Sequence, residues 1–345
     1  MTSDREHPTG RVPVIALTGH LGAGKTTVLN HLLCQPQARV GVVVNDFGDI
    51  NVDAALVTGQ VDEPASITGG CLCCLPDAGG LDDALEKLTH PRLGLDAVVV
   101  EASGLAEPAA LAQLIRYSGA DRVRPGGVVE VVDALEYDAT LDPVQHAPAP
   151  ARFAVSTLVL VNKCDLLDPA RARDVVARVT GRVRERNPHT AVVPVEGGRV
   201  DPTLVYDVTP DEDRPPQLPL GDPDADHHHG HRHADAVTVR TPGPVEPARV
   251  LDLLHHPPDA VYRVKGHVTI DTVGGPRGYV LHLVGRTISV HAARTTRAGT
   301  SELVAIGLDL DQPEVRRRLE TALAPSGRAS AAGYRELRRY RVLSL

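Results

Sequence analysis

Three cysteines fall within four residues, Cys71-Leu72-Cys73-Cys74, between a glycine-rich loop and an apolar run closed by an acid. The loop is Gly19-His20-Leu21-Gly22-Ala23-Gly24-Lys25-Thr26 and the run is Val98-Val99-Val100-Glu101. Thiolates select soft or borderline cations such as Zn2+ and Cu+ over Mg2+ and Ca2+. Segments lying between such landmarks in a nucleotide hydrolase are those that respond to the γ-phosphate. Together they predict a soft-metal site whose affinity follows nucleotide state.

The loop has the spacing Gly19-x4-Gly24-Lys25-Thr26, follows a predicted strand and opens a helix running to about Leu33. That is the context in which backbone N–H groups and a helix N-terminus cradle phosphates. Gly19, Leu21, Gly22, Ala23, Gly24, Lys25, Thr26 and Thr27 are the candidate phosphate-binding residues. Lys25 would reach the β- and γ-phosphates, and the Thr26 hydroxyl would ligate Mg2+. Glu101 stands where a strand-end acid can hold Mg2+ through water or orient the attacking water, so Lys25 and Glu101 are the candidate catalytic residues. Ser103-Gly104 follows as a turn suited to sensing the γ-phosphate.

Base identity is suggested by Asn162-Lys163-Cys164-Asp165 after a later strand. A carboxylate can accept both the N1–H and the 2-amino group of guanine, whereas adenine offers neither donor. A site built for a donor rejects the analogue that lacks it, so Asp165 points to GTP. Asn162 would support the loop and the Lys163 stem would cover the ring. Cys164 occupies the free position and reads as a small loop filler.

Cys71, Cys73 and Cys74 can supply three ligands if the backbone curls, which Gly69-Gly70 permits. Zinc favours four ligands in a tetrahedron. The fourth is open between Asp49, Asp46 and a substrate water, with Asp49 the chosen candidate. An incomplete protein shell suits a metal that is to be released. Cys71 and Cys74 also spell C-x-x-C, a redox alternative, and three small buried side chains are the plainest one. Five further candidate ligands, His227, His228, His229, His231 and His233, lie between Asp226 and Asp235. Imidazoles in such a tract would bind metal weakly and exchange it fast, or simply form a polar linker.

These motifs need a scaffold. β-Branched runs at Val14–Thr18, Val40–Val44, Ala97–Glu101, Val128–Val132, Leu158–Asn162 and Val192–Val195 alternate with helical stretches, which predicts a doubly wound α/β domain over residues 1–206. Residues 207–235 carry prolines, acids and the histidine tract, and read as a linker. Residues 236–345 are strand-rich, at Val237–Arg240, Ala260–Lys265, Val268–Ile270, Tyr279–Val284, Thr287–Val290 and Leu303–Ile306. With helices at Pro247–His255 and Pro313–Leu323, they predict a smaller α+β domain.

Of 345 residues 42% are hydrophobic, enough for a sizeable core in about two domains. A net charge of −8, no Trp and two Phe argue against nucleic-acid binding, which needs basic surfaces and stacking aromatics. Arg335, Arg338, Arg339 and Arg341 read as a solvated helix face. The N-terminus lacks an apolar signal segment and no run reaches the ~20 residues of a membrane span. The expectation is a cytoplasmic protein without membrane partners, monomeric or homodimeric, its five cysteines serving metal or redox chemistry rather than disulfides.

The chain resembles the CobW-type P-loop GTPases, relatives of the HypB and UreG metal-insertion GTPases. The resemblance rests on Thr18–Thr27, Asn45-Asp46-Phe47-Gly48-Asp49, Gly70–Cys74, Glu101-Ala102-Ser103-Gly104-Leu105-Ala106-Glu107-Pro108 and Asn162–Asp165. Tyr262-Arg263-Val264-Lys265-Gly266 looks like the start of the core of the family's smaller C-terminal domain. The resemblance implies a GTP-hydrolysing metallochaperone that passes zinc, or cobalt in cobalamin synthesis, to a client metalloprotein, with Cys71, Cys73 and Cys74 as the metal motif. This chain departs from the family's Glu-Asn-Glu-Phe-Gly-Glu by carrying Val44, Asp46 and Asp49 in place of the glutamates. The rival readings are a metal sensor or storage protein ordered by GTP, and a GTPase acting on RNA or ribosomes, which the acidic charge disfavours.

Overall fold

The computed structural model describes residues 11–34, 38–44, 65–66, 79–103, 107–141, 148–206, 234–293 and 299–343. The first part runs β1 (Val12–Gly19), α1 (Lys25–Leu33), β2 (Val40–Val44), β3 (Ala65–Ser66), α2 (Gly79–Leu88), β4 (Ala97–Glu101), α3 (Pro108–Arg116), β5 (Val123–Asp133), α4 (Tyr137–Thr140), β6 (Leu158–Asn162), α5 (Pro169–Arg186), β7 (Ala191–Pro194) and α6 (Pro202–Val205). Its seven strands form one parallel sheet in the order β3-β2-β4-β1-β5-β6-β7. β1 is central because every one of its residues is buried. Alternation along it sends Ile15 and Leu17 toward α1 on one face. Val14 and Ala16 face α2 and α3 on the other. Strands covered on both faces must be apolar throughout, which is what the runs in the sequence show.

The second part runs β8 (Asp235–Pro242), α7 (Pro247–His255), β9 (Val261–Thr272), β10 (Gly275–Val284), β11 (Thr287–Ala292), β12 (Thr300–Gly307), α8 (Gln312–Ala322) and α9 (Ala331–Leu343). A five-stranded antiparallel sheet in the order β11-β10-β9-β12-β8 carries all three helices against a single core. The amphipathic face of α7 supplies Val250, Leu251, Leu253 and Leu254, and that of α8 supplies Val315 and Leu319.

Three sequence expectations change in detail. Ala260–Lys265 and Val268–Ile270 are one strand, β9, because both of its neighbours hydrogen-bond straight past the polar Lys265-Gly266-His267 interruption. β5 begins at Val123, upstream of the expected Val128, with Pro125-Gly126-Gly127 inside it as a register irregularity opposite Val14/Ile15. The two-residue β3 was not anticipated.

The two parts share a core. The cluster around α1 continues through Leu204, Val205 and Tyr206 into Tyr262, Ile306 and Leu308. The Tyr262 hydroxyl donates to the Leu204 carbonyl at 3.0 Å, and the buried Arg263 guanidinium donates to the Val205 carbonyl at 2.7 Å. The Tyr262-Arg263 pair thus docks the antiparallel sheet onto α6, the helix that follows the last strand of the parallel one. Among the described residues no helix is long and apolar enough to cross a membrane.

Candidate nucleotide site

In an open parallel sheet, ligands gather where loops leave the C-terminal ends of the strands near a reversal of strand order. Here β4 inserts between β2 and β1. The loop after β1, the end of β4 and the end of β6 carry the motifs singled out in the sequence.

Gly24 caps α1 with left-handed backbone, φ 96° and ψ 26°. A Cβ there would lie 2.2 Å from the Asn162 amide nitrogen, so the position is closed to side chains twice over. Asn162, buried at the end of β6, donates to the Ala23 carbonyl at 3.0 Å and accepts from the Gly198 N–H at 3.0 Å. It therefore ties the phosphate loop to the turn that follows β7. Gly198 rests against the start of α1, where a Cβ would come within 2.9 Å of the Val28 nitrogen.

The Lys25 ammonium is buried and donates to the carbonyls of Gly19 and His20 at 3.1 and 3.2 Å. That holds a cation inside the loop. Thr26 donates its hydroxyl to the Glu101 carboxylate at 3.0 Å. The register Leu17↔Glu101 sets this meeting, since it brings the end of β4 beside the end of β1. Ala23 is buried, Thr27 is exposed, and Leu21 projects from the loop at 88% exposure.

In the loop after β6, Lys163 has left-handed backbone, φ 66°, and pairs with Asp133 at 2.5 Å. Asp165 is exposed and accepts from the Gly197 N–H at 3.3 Å. A base would itself have to desolvate this carboxylate. Cys164 is the loop filler expected of it. Its thiol donates to the Val161 carbonyl at 3.2 Å, and burial pushes its pKa up to about 11.

Two groups of residues went unnoticed in the sequence. Gly197-Gly198 positions both Asp165 and Asn162 through backbone N–H groups. The pair was visible as adjacent glycines after a strand, but its partners are distant in sequence. Glu130 lies fully buried in β5, where it accepts from the Thr18 hydroxyl at 2.5 Å and faces the Arg152 guanidinium at 2.6 Å. The Arg152 Nε contact is close but poorly aligned, an ion pair rather than a directed hydrogen bond. Burial pushes the Glu130 carboxyl up, against the opposing pull of Arg152, Thr18 and Lys25. His20 in the loop is pushed down, first by burial and then by Arg152 and Lys25. An acid within Val128-Val129-Glu130-Val131-Val132 was the available signal.

Cys71, Cys73, Cys74, Asp46, Asp49, Gly104 and His227 to His233 lie outside the described residues. Among the described residues no cluster of three or more His, Cys, Asp or Glu side chains is arranged for a metal.

Comparison with known proteins places these loops in a family. The CobW/HypB/UreG nucleotide-binding domain matches residues 13–193, and the cobalamin synthesis protein CobW C-terminal domain matches residues 234–323. The zinc chaperone CobW of a Sinorhizobium species is 27% identical, aligned over 94% of this chain and 100% of its own. The zinc chaperone YjiA of Escherichia coli is 28% identical over 88% of this chain and 96% of its own. The crystal structure of Zn(II)-bound YjiA GTPase from E. coli aligns with 90% of this chain and 99% of its own, at 23% identity and a TM-score of 0.40. The phosphate loop, the Asn162–Asp165 loop and the two matched domains make this chain a P-loop GTPase, and it belongs to the CobW/HypB/UreG family.

Proposed function

We propose that the protein is a GTP-hydrolysing metallochaperone that carries zinc and passes it to a client metalloprotein. The observation that carries the nucleotide half is the bridge through Asn162, which joins the phosphate loop to the loop bearing Asp165. The metal half is supported by relatives named zinc chaperones, and by a relative in Schizosaccharomyces pombe named zinc-regulated GTPase metalloprotein activator 1, 30% identical over 57% of this chain.

In this reading the loop residues Gly19 and Leu21 to Gly24 present backbone N–H groups to the phosphates, with Thr27 continuing the cradle into α1. Lys25, already held inside the loop, balances charge on the β- and γ-phosphates. The oxygens of Thr26 and Glu101, 3.0 Å apart, form the hard-oxygen corner that Mg2+ requires. When bound, Mg2+ supplies electrostatic stabilisation of charge on the transferring phosphoryl group. Glu101 then orients the attacking water, Lys163 covers the base, and Asp165 reads its guanine edge.

Cys71, Cys73, Cys74 and Asp49 are the proposed cargo ligands, with His227, His228, His229, His231 and His233 as a weak collecting site. Topology supports a link to the nucleotide. β2 ends at Val44, in register with Glu101 on one side and Ser66 on the other. The segments bearing Asp49 and the cysteines therefore leave the sheet beside the acid that meets Thr26. Loss of the γ-phosphate would reshape them and release metal.

Competition titration of Zn2+ in the GTP-analogue and GDP states tests this coupling. Different affinities are expected, with nucleotide affinity changing reciprocally; equal affinities in both states sink the mechanism. Deleting residues 226–235 separates it from storage. One tight equivalent that depends on Cys73 should remain, whereas loss of nearly all bound metal would favour a reservoir.

A further inference from the structure

A cleft of about 220 Å³ opens between the two domains, far from the phosphate loop in sequence and built by different elements. Arg116 enters it from the C-terminal end of α3 and His189 from the turn after α5. His255 comes from the end of α7, Arg286 from the β10–β11 turn, Thr287 from the start of β11, and Tyr340 from α9. Tyr340 and His255 are already joined, hydroxyl oxygen to Nε2, at 2.7 Å. No carboxylate lines the cleft among the described residues.

That composition is unexpected on this surface. Acids outnumber Lys and Arg by 44 to 36 in the chain, so most guanidiniums should find a carboxylate. Arg182, Arg240 and Arg317 do. Arg116 instead lies over the Tyr117 ring, 6.0 Å from its centroid, and among the described residues neither it nor Arg286 is ion-paired. Two arginines that line one concavity with no carboxylate among its described walls give it a positive potential that an anion can neutralise. Their planar forks suit an oxyanion, which can take paired N–H donors from each. The Thr287 and Tyr340 hydroxyls add two further polar groups to the lining.

Size selects among anions. Pockets for cofactors and drug-sized ligands span roughly 300–1,000 Å³, so a nucleotide is too large. A peptide carboxylate would ask for an extended groove rather than a short cleft. We propose that the cleft binds a small tetrahedral oxyanion of the phosphate class, held by Arg116 from one domain and Arg286 from the other. Occupancy would favour the docked arrangement of the domains.

Inorganic phosphate is the probe, and the full chain is kept saturated with GDP and Mg2+ so that the phosphate loop is filled. Binding is followed by equilibrium dialysis with radiolabelled orthophosphate, in chloride buffer of constant ionic strength. One equivalent is expected, and Arg116→Gln/Arg286→Gln should weaken it by about tenfold or more, the loss of at least one charged hydrogen bond. Both side chains are exposed, so the variant should fold, and unchanged GDP affinity verifies that it has. Phosphate also stabilises proteins by exclusion from their surface, so thermal stabilisation counts only as the difference between wild type and variant. Equal uptake by the two proteins, or no uptake by the wild type, overturns the proposal.

Discussion

Asn162 and Gly24 form a contact whose energetics can be worked out in advance. Asn162→Ala removes the donor to Ala23 O and the acceptor for Gly198 N–H, both at 3.0 Å. Ala23 and Gly198 are themselves buried, so water does not replace the lost partner. At about 1–2 kcal/mol for each buried neutral group left unsatisfied, the lower part of the usual span, the cost is about 2–4 kcal/mol. Gly24→Ala has two costs. Left-handed backbone penalises a Cβ by roughly 1–2 kcal/mol. The new Cβ also lies 2.2 Å from the Asn162 nitrogen, which is pinned by its own bonds and can yield only by breaking them. The single variant should therefore lose about 3–6 kcal/mol. In the Asn162→Ala background the clash is gone and only the backbone strain remains. The double variant should thus be more stable than the summed losses predict by about 2–4 kcal/mol, the amount of the Asn162 bonds counted twice. Urea unfolding of the four proteins, followed by circular dichroism, supplies the cycle. Additivity within about 0.5 kcal/mol would refute the claim that the two residues meet in the folded loop.

Asp165→Asn keeps an acceptor for Gly197 N–H but sets an amide N–H2 against the guanine 2-amino group. GTP hydrolysis should show a KM raised by roughly tenfold or more, and xanthosine triphosphate, which carries an oxygen there, should become the better substrate; unchanged preference refutes the base-reading role. His291 lies buried in β11 with a pKa pushed down to about 4, first by burial and then by Arg11 and Arg124. The unfolded chain, near the ordinary 6.5, takes the proton first. Stability is fully present above pH 6.5 and is lost as pH falls toward 4, by about 3 kcal/mol. His291→Gln should flatten that part of the urea-midpoint profile, and an unchanged slope rules the residue out. At pH 8 a thiol with a pKa near 11 is ionised in roughly one molecule in a thousand, so brief iodoacetamide treatment should leave Cys164 unlabelled while the exposed Cys34 reacts. Peptide mapping that finds Cys164 modified in the native protein would contradict its burial.

The sequence was most legible where one physical rule acted alone. β2, β4 and β6 have the bounds expected of them because a strand buried on both faces is an unbroken apolar run ended by a polar residue. α7 spans the expected Pro247–His255 because proline opens it and Pro257-Pro258 forbids its continuation. Legibility failed where local and long-range signals disagreed. Pro125-Gly126-Gly127 spells a turn, yet β1 on one side holds it in the sheet with a single shift of register. Lys265-Gly266-His267 spells a break, yet two neighbouring strands carry the ladder through it. In the nucleotide site, Asn162 and Asp165 could be named from their spacing. Their attachment to Gly197-Gly198 could not, because those partners lie more than thirty positions away in the chain. Glu130 was overlooked for the opposite reason. A charge inside a hydrophobic run looks like an exposed edge until Arg152 and Thr18 are seen to enclose it.

The exit and return of the chain at residues 206 and 234 have a consequence for how this protein can vary. The Asp201 carboxylate caps α6 through the Thr203 N–H at 2.9 Å and also accepts the Ala234 N–H at 3.1 Å. The segment bearing the histidines therefore starts and finishes at one anchored spot, and the domains hold each other through Tyr262 and Arg263 without it. Where two points are already held together by other contacts, doubling the length of chain that joins them costs only about 0.6 kcal/mol. The stretch between residues 206 and 234 can therefore vary in length and composition while the two domains keep their register through Tyr262 and Arg263.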